Sequence, residues 1–213
     1  MNHRVSSSVA IAACAASLAI TLTACGSDTD SASPSTSAAG PSAVTELVTS
    51  TSTETAAPAA STCPTAAPQG GTTPEWTLSG ATGSIEVTGS TEGAAPVVNV
   101  NGPFSVTETQ VKTLQPGDGP VVADTATVLV CYMGVNGRDG TVFDSSYERG
   151  APVDFPLNGV VPGFRKAIGG QTVGSTVAVA MASEDGYPNG QPAAGIQPGD
   201  SLIFAIKILD AAN

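Results

Sequence analysis

The sequence predicts an α+β fold in which a bent antiparallel β-sheet wraps around one short α-helix. Most apolar runs are short and β-branched, or alternate with small and polar residues, and glycine and proline separate them as turns separate strands. Only residues 162–168 combine helical spacing of apolar side chains with signals for a helix start and a helix end. One short helix against an antiparallel sheet is an α+β arrangement.

The first segment, residues 1–24, predicts a lipoprotein signal peptide. Residues 9–22 are almost wholly apolar or small after a short basic start, and the run Leu-Thr-Ala-Cys-Gly at 22–26 resembles a bacterial lipobox. The apolar run is too short for a permanent membrane helix. Processing would leave Cys25 as the acylated, palmitate-bearing first residue, anchored to the extracytoplasmic face of the bacterial cell membrane. An ordinary secretory signal or an uncleaved anchor is the alternative.

Residues 25–73 predict a disordered tether, and residues 74–109 a β-rich N-terminal extension. Ser, Thr, Ala, Pro and Gly dominate the first segment, which has no apolar periodicity and so cannot offset the entropy of folding. Order is expected to begin near Trp76, a packing anchor, and to continue in strands at 84–88 and 96–100. The tether would lift the folded part away from a cell surface.

The remainder, residues 110–213, predicts the main domain. Apolar and β-branched runs place its strands at 127–133, 141–146, 173–181 and 201–209. The helix begins at Pro162, which suits a first helical position, and its apolar face consists of Phe164, Ala167 and Ile168. Gly169 and Gly170 end it.

Charge and histidine content exclude several classes of function. The chain has 7 Lys and Arg against 18 Asp and Glu, a formal net charge of −11, which makes a phosphate backbone an unfavourable partner. Its single histidine, His3, lies in the predicted signal peptide. We therefore expect no nucleic-acid binding, no metal site, no cofactor and no catalysis that depends on an imidazole.

One carboxylate, Asp144, lies within an ordered series of aromatic and aliphatic residues. The other members of the series are Tyr132, Phe143, Arg149, Phe155, Val160, Val161, Phe164, Tyr187, Ile196 and Phe204. Each alone is typical of core packing. Together, in this order, they resemble the ligand pocket of FKBP-type peptidyl-prolyl cis-trans isomerases. The resemblance covers roughly residues 110–209, and residues 110–119 resemble the first strand and turn of that family.

The resemblance implies a proline isomerase that assists the folding of extracytoplasmic proteins. Phe143, Asp144 and Tyr187 would be the catalytic residues, and the rest of the series would bind substrate. Backbone N–H of Val161 and the Tyr187 hydroxyl would hold carbonyls beside the proline, and Asp144, oriented by Arg149, would act electrostatically. Partners would be Xaa-Pro segments of secreted or cell-envelope proteins, macrolide inhibitors and, through the lipid, a membrane. Such domains are commonly monomers.

Two departures from the family pattern favour an alternative. Phe164 stands where many members have tryptophan, and Pro188 follows Tyr187 where glycine is usual. A surface lipoprotein of the same fold that binds proline-containing segments without catalysis is therefore the second hypothesis.

Cys63 and Cys131 are the cysteines left after processing, and in an oxidising compartment they suggest one disulfide. Cys131 precedes Tyr132 in a predicted strand, so the two side chains would point to opposite faces of the sheet. Two separate thiols remain the alternative.

Overall fold

The computed structural model describes residues 62–71 and 73–212. The predicted signal peptide, the predicted lipidation site Cys25 and most of the predicted tether lie outside these residues. Three strands form a first antiparallel sheet in the order β1-β2-β3: β1 (Trp76–Ser79), β2 (Thr82–Thr88) and β3 (Val97–Ser105). This is the predicted β-rich extension, with one strand more than the two placed by sequence pattern.

A six-stranded antiparallel sheet forms the main domain. Its strands are β4 (Gln110–Gln115), β5 (Thr127–Asn136), β6 (Val142–Ser145), β7 (Val153–Pro156), β8 (Thr176–Met181) and β9 (Leu202–Ala212). Their order is β4-β8-β9-β5-β6. Strand β7 pairs with the first half of β5, on the same edge on which β6 pairs with the second half. The α+β class with an antiparallel sheet is thus confirmed.

Two α-helices accompany the sheet, α1 (Ser146–Arg149) and α2 (Pro162–Ile168). The second is the predicted helix, with proline at its start and with Phe164, Ala167 and Ile168 buried against the sheet. Shorter 3-10 turns lie at Leu157–Gly159, Ser183–Asp185 and Pro192–Ala194. In the ranges 62–71 and 73–212, no helix has the length and apolar character needed to cross a bilayer.

Besides β1, the sequence pattern missed two elements of the main domain, β7 and α1. The strand has only 4 residues and ends in proline, which pattern analysis treats as a strand breaker. The helix also has 4 residues, too few to show a period. Its boundaries are local: the Ser145 hydroxyl accepts a hydrogen bond from Glu148 N–H, and Gly150 ends the turn with φ +69°.

Strand β8 shows how the main sheet is buried on both faces. Val177, Val179 and Met181 face the core beneath α2, whereas Ala178 and Ala180 face the core beneath the three-stranded sheet. A strand covered on both faces has a continuous apolar sequence instead of an alternating one. The small alanines on the second face allow the extension to lie close, and the extension contributes Ile85, Val87 and Phe104 to that core. Trp76 packs at the edge of this core, as predicted.

The segment Thr62–Pro68, which we call the arm, lies against both the main domain and the extension. Cys63 forms a disulfide with Cys131 and is only 3% exposed. Cys63 N–H donates to Gly150 O at 3.2 Å, and Ala66 O accepts from Ala95 N–H at 2.9 Å. The end of the predicted tether is therefore bound to the domain, because the covalent link and two backbone hydrogen bonds supply contacts that its composition does not reveal.

Candidate active site

A pocket of about 400 Å³ opens between α2, the face of the main sheet beneath α2 and the loop that follows β8. It is lined by Tyr132, Phe143, Asp144, Phe155, Gly159, Val160, Val161, Phe164, Tyr187 and Phe204. Alternation along the strands explains which side chains reach it. Tyr132 and Phe204 point towards α2, while Cys131 and Ala205, their neighbours in β5 and β9, point to the opposite face.

The pocket wall is a chain of aromatic rings in edge contact, centred on Phe164. The Phe164 ring centroid lies 5.5 Å from that of Phe155, 6.0 Å from that of Tyr132 and 5.4 Å from that of Phe204. Phe143 extends the chain, with its centroid 5.6 Å from that of Phe204. Edge-to-face contacts at these distances are favourable beyond the burial of area alone. The wall therefore consists of aromatic rings in mutual edge contact.

A polar network closes one side of this wall. The Tyr132 hydroxyl donates a short hydrogen bond to Asp144 Oδ2. Arg149 donates from Nη1 to Asp144 Oδ1 at 2.6 Å and from Nη2 to the Tyr132 hydroxyl oxygen at 3.1 Å. The guanidinium also lies 5.8 Å from the centre of the Tyr132 ring. Each of the three side chains thus fixes the other two.

Ionisation follows from these contacts. Burial, the hydrogen bond to Asp144 and the carboxylate charge raise the pKa of Tyr132 to about 12, against the smaller lowering effect of Arg149. Burial also acts to raise the pKa of Asp144, but the hydrogen bonds from Tyr132 and Arg149 outweigh it and hold that pKa below its ordinary value. Near neutral pH the network therefore consists of a neutral phenol, a carboxylate and a guanidinium.

The structure brings together nine of the eleven residues that the sequence placed in the pocket. These are Tyr132, Phe143, Asp144, Phe155, Val160, Val161, Phe164, Tyr187 and Phe204. Arg149 reaches the site from its edge through Asp144 and is about half exposed. Ile196 differs from the expectation, because it is 2% exposed and packs in the core beneath the loop. Backbone hydrogen bonds between Gln191 and Ile196 turn its side chain inward.

Gly159 lines the pocket but carries no side chain that could have signalled it in the sequence. The anchors of the overhanging loop were also missed. Asp185 accepts hydrogen bonds from Lys166 and Thr109 at its start.

Asp200 anchors the end of the same loop. It accepts hydrogen bonds from Asn136 Nδ2 at 2.7 Å and from Gln197 N–H at 2.9 Å, and Arg138 Nε lies 3.3 Å from its carboxylate. Arg138 also donates to Gly195 O at 3.1 Å. Asn136 and Arg138 are 64 and 62 residues from Asp200 in sequence, so only the tertiary structure reveals these contacts.

Comparison with known proteins supports the sequence resemblance. Residues 119–209 match the family model described as FKBP-type peptidyl-prolyl cis-trans isomerase. The FK506-binding protein of Streptomyces anulatus is 32% identical over 117 residues, which cover 54% of this chain and 94% of that protein.

The FKBP-type 22 kDa peptidyl-prolyl cis-trans isomerase of Escherichia coli K12 is 39% identical over 101 residues, which cover 47% of this chain and 48% of that protein. The chain therefore spans about half the length of this relative. Among solved structures, FkpA from Escherichia coli is 33% identical with a TM-score of 0.44, over 48% of this chain and 47% of that chain.

Proposed function

Because the chain belongs to the FKBP-type peptidyl-prolyl cis-trans isomerase family, we propose that it catalyses cis-trans isomerisation of Xaa-Pro peptide bonds. The observation that carries this proposal is the apolar, aromatic-walled pocket of about 400 Å³ with a single carboxylate, Asp144, in its lining. A cavity of this size accepts a proline ring and the amide that precedes it.

The chemistry needs no nucleophile. Rotation about the Xaa-Pro bond faces a barrier of about 18–20 kcal/mol, because the planar amide must lose resonance. A twisted amide is less polar than a planar one, so an apolar pocket that replaces water stabilises the twisted state relative to the ground state. Interactions that favour the transition state over the bound substrate are the ones that accelerate a reaction. The ring wall around Phe164 supplies this environment.

The polar groups orient the bond. Val161 immediately precedes α2, so its N–H has no partner within the helix, and no side chain caps this helix. We assign that N–H and the Tyr187 hydroxyl to the carbonyls that flank the proline. Asp144, held by Tyr132 and Arg149, presents negative charge beside the rotating carbonyl. Its role is electrostatic, and no proton transfer is required.

The first test is the relaxation of a short Xaa-Pro peptide from cis to trans with the full-length chain. We expect saturable acceleration that rapamycin abolishes and that Phe143→Ala lowers by on the order of tenfold or more, since the ring forms part of the wall. The matched control is Val121→Ala, because Val121 is 60% exposed and lies outside the pocket. A folded chain that binds rapamycin without accelerating the peptide would instead support the non-catalytic binding function.

We also propose where the protein works and on what. It is a lipid-anchored extracytoplasmic protein that acts on proline-containing segments of secreted or cell-envelope proteins. The disulfide Cys63–Cys131 supports an oxidising compartment. The lipobox-like run ending at Cys25 supports the anchor. Mass spectrometry of the purified N-terminus should find an acylated Cys25, and Cys25→Ser should move the protein from the membrane fraction to the soluble one. An unmodified residue in the wild type would reject the anchor and leave the isomerase proposal untouched.

A further inference from the structure

The arm is joined to the strand that carries part of the candidate site. Cys131, the disulfide partner of Cys63, is the residue before Tyr132 in β5, and the two side chains point to opposite faces. Tyr132 contributes both a pocket wall and the hydroxyl that binds Asp144. The covalent attachment of the arm is therefore one residue from a group of the site.

Ser146 connects the arm to the same tyrosine by a second route. Its side chain is fully buried, and its Oγ accepts a hydrogen bond from Tyr132 N–H at 2.8 Å and donates to Tyr132 O at 3.3 Å. Cys63 Sγ lies 3.5 Å from this oxygen on the side of the arm. A buried hydroxyl with both partners satisfied holds a backbone in one position. Here it holds the backbone of Tyr132.

The arm also contacts the far end of α1. Cys63 N–H donates to the carbonyl of Gly150, the residue that ends this single helical turn. Arg149 directly precedes Gly150 and binds both Asp144 and Tyr132. One residue of the arm, Cys63, thus contacts the first residue of α1 and the residue after its last, while the turn between them carries the guanidinium of the site.

We propose that the disulfide-bonded arm positions Tyr132 and Arg149 around Asp144, with Ser146 as the positioning residue that links them. The inference rests on the proposed isomerase function of the pocket. The arm needs the disulfide for this role, because the other polar contacts described above are two backbone hydrogen bonds and the approach of Cys63 Sγ to Ser146, and Thr65, Ala66 and Ala67 are exposed. Without the covalent link the arm leaves, and α1 loses its outer support.

The test compares the full-length chain with a Cys63→Ala/Cys131→Ala variant, at a temperature where circular dichroism shows both folded. We expect kcat/KM for the Xaa-Pro peptide to fall on the order of tenfold, because small displacements of a positioned group are costly in rate. Tyr147→Phe is the matched control. It removes a hydrogen bond to Ser90 from the same buried cluster and leaves the disulfide intact, so kcat/KM should not change.

Two further readouts separate positioning from general loss of structure. The chain has 3 tyrosines, so labelling with fluorotyrosine gives a simple fluorine NMR spectrum. Single Tyr→Phe variants assign each resonance to its residue. Loss of the disulfide should shift or broaden the Tyr132 resonance and leave that of Tyr187 unchanged. In an Asp144→Val background, the same loss should lower kcat/KM by less than about twofold, because groups that act as one unit are not additive.

An unchanged Tyr132 resonance in the folded double variant would overturn the inference, as would equal losses of kcat/KM in the two backgrounds. The fluorine readout does not depend on turnover. A wild-type chain without isomerase activity but with a disulfide-dependent Tyr132 resonance would reject the proposed function and retain the positioning role.

Discussion

A β-carbon placed on Gly134 would lie 2.6 Å from Phe143 Cζ and 2.9 Å from Phe204 Cε1. The edge contact between these two rings thus occupies the space that any side chain at position 134 would fill. We expect Gly134→Ala to displace Phe143 and to weaken rapamycin binding on the order of tenfold, since overpacking of a well-packed wall costs about 1–3 kcal/mol. Titration calorimetry measures the affinity.

Gly93→Ala is the control for this prediction, because a β-carbon on Gly93 would meet no atom within 4 Å and its φ lies outside the left-handed region. Equal affinities of the two variants would show that the rings adapt without cost and that the pocket wall is softer than its packing indicates.

The charge of Asp144 is the second testable feature. Asp144→Asn preserves the size of the side chain but removes the charge that binds Arg149, so we expect kcat/KM to fall on the order of tenfold, the loss of one charge-assisted hydrogen bond of about 1.5–3 kcal/mol. Asp139→Asn is the control, because Asp139 pairs with Arg138 away from the pocket lining. Full activity in the Asp144→Asn variant would show that the apolar wall accounts for catalysis without the carboxylate charge.

The same carboxylate predicts a pH dependence of stability. The pKa of Asp144 is lower in the folded chain than its ordinary value, so its contribution to stability is complete above the unfolded pKa and is lost as pH falls through the folded one. We therefore expect the difference in unfolding free energy between wild type and Asp144→Asn to be constant above about pH 5 and to shrink below about pH 4. Urea denaturation between pH 7 and pH 3 measures it. The pKa values of Asp139 and Asp185 are also lowered. Both residues are present in both proteins, so their contributions cancel in the difference. A difference that grows in acid would contradict the assignment.

The disulfide should stabilise the chain as well as position the site. Its cysteines are 68 residues apart, and closing a loop of that length lowers the entropy of the unfolded chain enough to stabilise by about 4 kcal/mol. Urea denaturation of the Cys63→Ala/Cys131→Ala variant should show this loss, and fully reduced wild type should match the variant. A loss below about 1 kcal/mol would show that the unfolded chain is already compact in this region.

Local sequence pattern predicted α2 because its signals are contained within a few residues: Pro162 at the start, Phe164, Ala167 and Ile168 on one face, and two glycines at the end. The same holds for β5, β8 and β9, whose apolar runs are long enough to stand out. By contrast, α1 and β7 have too few residues to show a period, and pairing with β5 is what stabilises β7.

The pocket was predictable for a different reason. Its residues lie in a recognisable order along the chain, and strand alternation then directs Tyr132 and Phe204 to one face. Sequence order could not show that Ile196 is buried outside the pocket lining, because its direction depends on how the overhanging loop folds back through its hydrogen bonds to Gln191. Unlike a helix or a strand, a loop has no repeating pattern in its sequence that would show which side chains point inward.

The sequence alone therefore determined the α+β class, α2, the longer strands and most residues of the pocket wall, since each follows from periodicity, turn chemistry or the resemblance of an ordered set of side chains to a known family. Only the tertiary structure decided how the arm meets α1, that Ser146 holds Tyr132, and that Asp185 and Asp200 anchor the loop over the site. Each of these contacts joins segments far apart in the chain, and their geometry depends on how all the elements pack, which local patterns do not encode.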